Sequence, residues 1–354
     1  MKARKDQERS GLMRAVEITR FGPPEVLKIS EVLVPQIGEG DVRVRVKTIG
    51  VNFADVFARL GYYPAIPKPP FIPGLEFAGT VDAVGKSVKG LRKGDRVLGF
   101  SRLNAYAEFV SVPAALLTRM PSRMSFKEAA ALGVTYLTAY HGLVTLGQMK
   151  KGESLLLHAA AGGVGTAALQ IAKHLGVRVY ATVGSQSKTQ TAREQGAAVV
   201  INYADEDFAE IIRRESHGQG VDVILDSVGG KVFRKGWRLL RPMGRYVLYG
   251  FAAAAGPKGI PKLKALIESA SFPLIYPPSI VPRNVTLSGF NLYFLFDKLA
   301  YLQQTMRKLL GWYDKGVVRP VIGAVYPFEK IREAHQFLQS RQSIGKVVVT
   351  VGIG

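Results

Sequence analysis

The sequence predicts an α/β fold, with a doubly wound parallel sheet in one domain and a mainly antiparallel β structure in a second. From residue 154 onward, short and almost wholly apolar strands alternate with helical segments, a pattern typical of a parallel sheet covered on both faces. Before residue 133, apolar and charged residues alternate between glycine turns, as in antiparallel strands. A last strand, 346–351, follows the completed parallel unit, so we expect it to pair with the N-terminal domain.

Three boundaries follow from these patterns. We predict a disordered N-terminal segment over 1–12, an antiparallel β domain over 13–133 and 296–354, and a parallel-sheet domain over 134–295. The 354 residues, 47% hydrophobic and 21% charged, fit two globular domains with proper cores. The absence of cysteine excludes disulfides, thiolate metal sites and a cysteine nucleophile.

The start of the chain lacks the apolar segment of a secretory signal. No run reaches the about 18 uninterrupted apolar residues that a membrane span needs. We therefore expect a cytoplasmic protein.

The antiparallel domain is clearest in the segment 41–49. There Val42, Val44 and Val46 alternate with charged residues, which is the period of a strand with one wet face. Further short strands are predicted at 79–85 and 94–99. A Ser-x-x-Glu capping box at Ser125 marks the start of a helix.

The motif that suggests a function lies between Ser154 and Gly176. A short aliphatic strand passes through small residues into an apolar pattern of helical period that ends at Gly176. Ala160, Gly162 and Gly165 take the three small-residue places of a G-x-G-x-x-G dinucleotide fingerprint, with alanine in the first. The middle glycine allows the backbone to approach a pyrophosphate, and the helix N-terminus supplies N–H groups and partial positive charge.

The rest of the parallel domain repeats this alternation. We predict helices near Thr189, Phe208 and Arg234. The predicted strands are 177–183, 198–201, 221–226, 245–249 and 285–289. Helices over 294–313 and 328–338 precede the final strand.

The second strand of the parallel domain ends without the acidic residue that would hold an unphosphorylated ribose. The following turn contains Ser185 and Lys188, a hydroxyl and an ammonium group that suit a 2′-phosphate. This favours NADPH over NADH. The alternative is that Ser185 caps the next helix and Lys188 is simply solvated.

The formal net charge is +21, and basic residues are densest at 231–245 and 258–264. Nucleic acid or an anionic membrane would be attracted by such a surface, and so would a polyanionic cofactor. No nucleic-acid-binding motif accompanies the charge, so we expect no nucleic-acid partner. Weak contact with an anionic membrane stays open.

Several further motifs carry a resemblance to a known family. They are Gly50-Val-Asn-Phe-Ala-Asp55, Ile72-Pro-Gly-Leu-Glu-Phe-Ala-Gly79, Gly94-Asp-Arg-Val97, His158-Ala-Ala-Ala-Gly-Gly-Val-Gly165, Ile201-Asn-Tyr203 and Gly345-Lys-Val-Val. The chain resembles the zinc-free quinone oxidoreductases of the medium-chain dehydrogenase/reductase superfamily, the family of zeta-crystallin. Its segments 241–244, 325–330 and 251–291 look most like the branch of the synaptic vesicle membrane protein homologues. The resemblance implies a Rossmann NADPH-binding domain, a GroES-like domain and a homodimer.

The departures from the zinc alcohol dehydrogenases suggest a metal-free mechanism. Asn52 stands where those enzymes have a cysteine ligand, Leu75 stands at the position of a histidine ligand, and the four-cysteine lobe is missing. The resemblance places Asn52 and Tyr63 beside nicotinamide and substrate as hydrogen-bond donors, with Asp55 as the accompanying acid. The alternative is that Asn52 and Asp55 cap a helix over 53–60 and that Tyr63 packs in a turn.

The resemblance also implies the cofactor contacts. It places Ala160, Gly162, Gly163, Val164 and Gly165 at the pyrophosphate, and Ser185, Lys188 and Tyr203 at the 2′-phosphate. It places Thr135 at the nicotinamide end, and Phe251, Asn291, Arg341 and Lys346 at further positions near the cofactor. The five histidines lack ligand spacing and are interpreted as structural, and Asp226 as a helix cap.

Two functions follow from these observations. The first is NADPH-dependent hydride transfer to a quinone or an α,β-unsaturated carbonyl, in which hydrogen-bond donors instead of a metal hold the developing negative oxygen. The second is an NADPH-binding protein with little turnover that associates with a membrane or a partner. The basic, proline-rich segment 258–283 is either the contact surface of that second function or a lid over the substrate.

Overall fold

The computed structural model describes residues 11–63, 66–252, 267, 270–272, 275 and 277–352. It divides into two compact units. Unit 1 is Met1–Val134, Leu295–Gly311 and Ile322–Gly354, and unit 2 is Thr135–Phe294 and Trp312–Val321. Of the segment predicted to be disordered, 1–10 lies outside the described residues, whereas Leu12 begins the first strand. Most of the segment 258–276 also lies outside the described residues.

Although its last two strands pair parallel with each other, unit 1 is built on strands that pair mainly antiparallel. They are β1 (Leu12–Ile18), β2 (Leu27–Leu33), β3 (Asp41–Val51), β4 (Glu76–Val84), β5 (Arg96–Phe100), β6 (Phe109–Pro113), β7 (Leu117–Arg119), β14 (Ile322–Pro327) and β15 (Lys346–Thr350). The helices in sequence order are α1 (Phe53–Arg59), α2 (Phe126–Tyr140), which crosses into unit 2, α7 (Leu299–Asp314), whose last residues belong to unit 2, and α8 (Ile331–Gln339).

The sheet of unit 1 confirms the return of the chain end. Its order is β14-β15-β3-β4-β5-β7, with β6 also paired to β3, and β15 runs antiparallel to β3. The alternation in β3 sets the faces as predicted: Val42, Val44 and Val46 are buried, whereas the intervening charged residues are half-buried. The core of unit 1 therefore lies against one face of this sheet.

Unit 2 is a parallel sheet. Its strands are β8 (Ser154–Leu157), β9 (Arg178–Val183), β10 (Val199–Asn202), β11 (Val221–Asp226), β12 (Leu240–Leu248) and β13 (Thr286–Gly289). Its helices are α3 (Gly163–Leu175), α4 (Thr189–Glu194), α5 (Phe208–Glu215) and α6 (Gly230–Trp237). The strand order β10-β9-β8-β11-β12-β13, with every pair parallel, is that of the predicted doubly wound Rossmann sheet.

One stretch groups differently from the sequence prediction. The sequence pattern places residues 312–321 in the antiparallel domain, whereas the structure groups them with unit 2. The Trp312 ring lies edge-on to His174, with ring centroids 4.8 Å apart, and Gln170 accepts a hydrogen bond from the Arg319 backbone at 2.7 Å. A periodic sequence pattern does not reveal which of the two domains such a stretch packs against, because both domains offer apolar surface.

The helical segment Phe126–Leu146 is the one stretch among the described residues that is long and apolar enough to cross a membrane. However, 72% of its most apolar window is buried inside the protein, as expected for a core helix. Its start is the predicted capping box, in which the Ser125 backbone N–H donates to Glu128 at 2.9 Å and the Glu128 N–H donates to Ser125 Oγ at 3.2 Å.

Candidate functional site

In the turn between β8 and α3, Gly162 and Gly165 are glycines for different physical reasons. A Cβ on Gly165 would lie 2.4 Å from the carbonyl oxygens of both Ala159 and Ala160, so this glycine is required for close packing of helix and strand. A Cβ on Gly162 would meet only the Ala159 oxygen, at 3.4 Å. Because packing leaves room at Gly162, the chain itself does not require glycine there. The open space suits a ligand that approaches the backbone closely.

The beginning of α3 can hold an anion. The N–H groups of Gly163, Val164 and Gly165 lie in the first turn of the helix and have no intrahelical acceptor. Together with the helix dipole, they form a site of partial positive charge. The Ala160 N–H donates to the Thr182 oxygen at 3.0 Å and ties the turn to β9. The arrangement fits the pyrophosphate of a dinucleotide.

The predicted 2′-phosphate residues come together at the ends of β9 and β10. The Tyr203 N–H donates to the Val183 oxygen at 3.0 Å, and its hydroxyl covers Gly184, where a Cβ would lie 2.3 Å from it. Lys188 is half-buried at the end of the helical turn 186–188, which has no acidic residue. Ser185 makes no side-chain cap bond; its Oγ is 3.0 Å from that of Ser187. The structure therefore does not support the capping alternative for Ser185.

The remaining cofactor positions in unit 2 are also placed. Thr135 is buried in α2. Phe251 follows β12 and packs against Phe272, with ring centroids 5.5 Å apart, and Asn291 follows β13 and accepts from the Tyr293 N–H at 3.0 Å. Phe251 and Asn291 thus lie beyond the carboxyl ends of parallel strands. Ligands of open α/β sheets bind at this edge.

Asp226 ends β11 at the same edge but serves the fold. Its carboxylate accepts from the N–H groups of Val228 and Gly229, directly before α6, and from the Tyr246 hydroxyl at 2.7 Å. The N-cap residue of α6 is Gly229 and makes no side-chain cap bond, so Asp226 holds the turn before α6 and does not cap the helix itself.

In unit 1, Asn52 is the centre of a buried polar cluster between β3 and α1. Its Nδ2 donates to the Gly50 oxygen at 3.2 Å and to Glu76 Oε1 at 2.9 Å. Its Oδ1 accepts from Lys346 Nζ at 2.6 Å, and the same ammonium donates to Glu76 Oε1. The structure therefore brings together Asn52 and Lys346, which the sequence analysis assigned to separate roles.

Glu76 is the residue that sequence reasoning missed. Its Oε2 accepts from the Val134 N–H at 2.7 Å. Two glycines make room for the carboxylate, because a Cβ on Gly50 would lie 2.6 Å from Oε1 and one on Gly133 would lie 2.7 Å from Oε2. One signal in the sequence could have identified it: Glu76 matches the glutamate of the Gly-His-Glu motif of the zinc enzymes, in which Leu75 replaces the histidine. The Glu76–Lys346 ion pair is fully buried, so each charge depends on the other.

Asp55 connects this cluster to a second set of buried groups. Its Oδ2 accepts from the Asn52 backbone N–H at 2.8 Å and from the Tyr106 hydroxyl at 3.1 Å. Burial raises the pKa of Asp55 to about 7, although the Asn52 hydrogen bond and the Lys346 charge oppose that shift. The bond to Asn52 caps α1, so the capping alternative describes Asp55 well. This capping bond uses the Asn52 backbone N–H, so the Asn52 side-chain amide can still bond to Glu76 and Lys346.

The Tyr106 hydroxyl also lies 3.1 Å from His335 Nε2. Burial, aided by the nearby Arg59 charge, lowers the pKa of His335 to about 3, so this imidazole is neutral at physiological pH. Arg59 is itself buried and donates to the Gly22 oxygen at 2.7 Å. Gly74, at φ +111°, is needed because a Cβ there would lie 2.4 Å from the Tyr106 ring.

Two further predicted residues lie outside the regular elements of unit 1. Tyr63 is half-buried in the turn after α1, and Arg341 is exposed after α8 with φ +61°. Among the described residues, no group of three or more histidine, cysteine, aspartate or glutamate side chains is arranged to hold a metal ion.

Known proteins match this chain over most of its length. Residues 38–122 match the family model of the alcohol dehydrogenase GroES-like domain, and residues 195–349 match that of the zinc-binding dehydrogenases. The synaptic vesicle membrane protein VAT-1 homolog of Rattus norvegicus is 38% identical over 96% of this chain and 84% of that protein. The quinone oxidoreductase of Lama guanicoe is 35% identical over 96% of this chain and 97% of its own length.

The chain belongs to the quinone oxidoreductase family of medium-chain dehydrogenases/reductases. This confirms the resemblance found in the sequence. Among solved structures, Escherichia coli quinone oxidoreductase complexed with NADPH aligns with a TM-score of 0.84 at 30% identity, over 96% of this chain and all of that one. The fold prediction, a Rossmann unit with a GroES-like unit, is thereby confirmed as well.

Proposed function

We propose that this protein is an NADPH-dependent oxidoreductase that reduces a quinone or an α,β-unsaturated carbonyl compound without a metal ion. The observation that carries the proposal is the open glycine position at Gly162, at the N-terminus of α3, on the same sheet edge as Lys188 and Tyr203. The E. coli relative, solved as a complex with NADPH, supports this choice of cofactor. The guanaco relative supports the oxidoreductase class.

The residues of unit 2 fit the cofactor. Gly162 and the first-turn N–H groups of α3 would hold the pyrophosphate, while Ser185, Lys188 and Tyr203 would hold the adenosine 2′-phosphate. A phosphate there gains from an ammonium group and hydroxyl donors without a competing carboxylate in the turn 186–188. NADPH supplies a hydride from its nicotinamide ring. The cofactor contacts of Thr135, Phe251 and Asn291 are part of the same proposal, and so is that of Arg341, which belongs to unit 1.

The side chains available as ligands support a mechanism without a metal ion. Asn52 and Leu75 are poor zinc ligands compared with the cysteine and histidine at these positions in the zinc enzymes, and the sequence has no cysteine. The buried Glu76–Lys346 ion pair contacts Asn52 instead. The negative charge on the reduced acceptor must then be met by hydrogen-bond donors of the chain, which include the Tyr63 hydroxyl in this proposal.

The test is a screen of the full-length protein for oxidation of NADPH, followed by the absorbance of the reduced nicotinamide, against a panel of quinones and enones. We expect turnover with at least one class, a preference for NADPH over NADH, and no change on addition of a chelator. Tight NADPH binding with no turnover on any acceptor would contradict the enzymatic proposal. Loss of activity with chelator and recovery with zinc would contradict the metal-free mechanism.

A second candidate is an NADPH-binding protein that associates with a membrane or a partner. The name of the rat relative, a synaptic vesicle membrane protein homolog, favours it. Flotation with anionic liposomes, using the full chain and a form without 258–283, tests it, and absence of binding in both would exclude the membrane version. We further propose a cytoplasmic homodimer, joined through the edge strand β13; light scattering at several concentrations checks the dimer.

A further inference from the structure

The hydrogen bonds around Asn52 leave its amide without a donor for a substrate. An asparagine amide has two N–H groups, and here one donates to the Gly50 oxygen and the other to Glu76 Oε1. An ammonium group has three N–H groups. Lys346 uses two of them, on Asn52 Oδ1 and on Glu76 Oε1, among the described residues. The unused donor of this cluster therefore belongs to Lys346.

The ion pair also fixes the orientation of the amide. Glu76 lies on the Nδ2 side of Asn52, and Lys346 lies on the Oδ1 side. A reversed amide would place its oxygen against a carboxylate and its NH₂ against an ammonium group, and both contacts would repel. Since Asn52 and Glu76 in turn hold Nζ from two directions, the ammonium group has a defined position on a flexible side chain.

The cluster has a less deeply buried end and a closed end. Asn52 is 8% exposed and Lys346 is 3% exposed, whereas Tyr106 and His335 are completely buried. Asn52 is thus the member of the cluster nearest to solvent, and Lys346 Nζ lies 2.6 Å from its Oδ1. Asp55, which contacts Tyr106, belongs to the closed end.

We propose that the Lys346 ammonium group, and not the Asn52 amide, donates the hydrogen bond to the acceptor oxygen that gains negative charge, and that Asn52 and Glu76 are its positioning residues. A cation held in a water-poor site stabilises such an oxygen, which is the role a metal ion has in the zinc enzymes. This inference rests on the proposed reductase function and specifies the residue that carries its electrostatic part. It departs from the cofactor-contact role that the resemblance implied for Lys346.

The competing explanation is that Lys346 only neutralises Glu76. A single substitution does not separate the two explanations, because it leaves a buried charge without a partner and destabilises the fold. The matched control is the double variant Lys346→Met/Glu76→Gln, which removes both charges together. Lys346→Arg keeps the charge and the donors.

The variants are compared by melting temperature, by NADPH affinity from fluorescence, and by kcat and KM with the acceptor found in the screen. We expect the double variant to melt within a few degrees of the wild type and to bind NADPH within about threefold. Its kcat should fall about 100-fold, the usual cost of losing one donor to a developing oxyanion. Lys346→Arg should retain more activity than the double variant. A double variant with wild-type kcat would overturn the proposal.

A second readout does not need turnover. The probe is 4-nitrophenolate, an oxyanion with the shape of a quinone product, titrated at a pH where it is ionised. Wild-type protein should bind it and shift its absorbance, and the double variant should not. Equal binding by both proteins would overturn the role of Lys346. If the wild type binds the phenolate through Lys346 but reduces no acceptor, the donor assignment stands and the proposed reductase function fails.

Discussion

Asp55 and His335 are both buried and both contact the Tyr106 hydroxyl, and their shifted pKa values predict an unusual pH dependence of stability. The folded-state pKa of Asp55 is raised to about 7, against about 3.9 in an unfolded chain. Because the folded state binds this proton more tightly than the unfolded state does, Asp55 contributes stability that is fully present below about pH 4. This contribution is lost as the pH rises through 7. The folded-state pKa of His335 is lowered to about 3, against about 6.5 when unfolded, so its contribution is present above pH 6.5 and is lost on acidification.

Between about pH 4 and 6.5 the two contributions change in opposite directions. Each has a slope of about 1.4 kcal/mol per pH unit, so in the wild type they cancel. Asp55→Asn removes one of them. Relative to the wild type, the free energy of unfolding of this variant should then fall by about 3 kcal/mol between pH 6.5 and pH 4.

The assay is urea unfolding of both proteins at half-unit steps from pH 4 to 7, under conditions where the m value stays constant. The difference between variant and wild type isolates the carboxyl from the Lys346, Glu76, Tyr106 and Arg59 groups around it, which both proteins share. His335→Gln is the control and should show the opposite slope. Parallel curves for Asp55→Asn and the wild type would mean that the folded carboxyl titrates normally, and the reasoning from burial would be refuted.

Three more predictions concern the remaining parts of the site. Gly162→Ala should leave the melting temperature within about 2 °C of the wild type but weaken NADPH binding at least tenfold. Gly165→Ala should lower the melting temperature, because a Cβ has no room there. Calorimetry of NADPH binding and thermal melts distinguish the two effects. Lys188→Glu should raise the Kd for NADPH at least tenfold and leave that for NADH nearly unchanged, and unchanged selectivity would reject its 2′-phosphate role. Gly133→Ala should destabilise the protein by about 1–3 kcal/mol in urea unfolding, since its Cβ would press on Glu76; wild-type stability would contradict that crowding.

Much of the fold follows from local pattern. The strand β8, the turn and the helix ending at Gly176 are predicted within a residue because short-range periodicity and turn chemistry dictate them. Strand β12 begins at Leu240, five residues earlier than predicted, because Leu240 pairs with Val221 of β11; the pairing then skips 241–244 and resumes at Arg245 opposite Val223. Tertiary pairing thus extends elements beyond their own sequence signal.

The candidate site also has a part that local sequence motifs predict and a part that only tertiary contacts form. The glycine turn and the turn with Ser185 and Lys188 are local motifs, so the sequence alone identified them and the cofactor they suit. The contacts of Lys346 with Asn52 and Glu76 join residues 294 and 270 positions apart. No sequence window contains them.

The sequence by itself determined the two kinds of sheet, the family and the glycine turn that we propose binds the cofactor. Only the tertiary structure decided that Lys346 faces Glu76, that both hydrogens of the Asn52 amide are used inside the protein, and that Asp55 is buried with Tyr106. The physical reason is that turn chemistry and periodicity act over a few residues. The partners and the solvation of a charged side chain, in contrast, depend on distant strands that pair only in the folded chain.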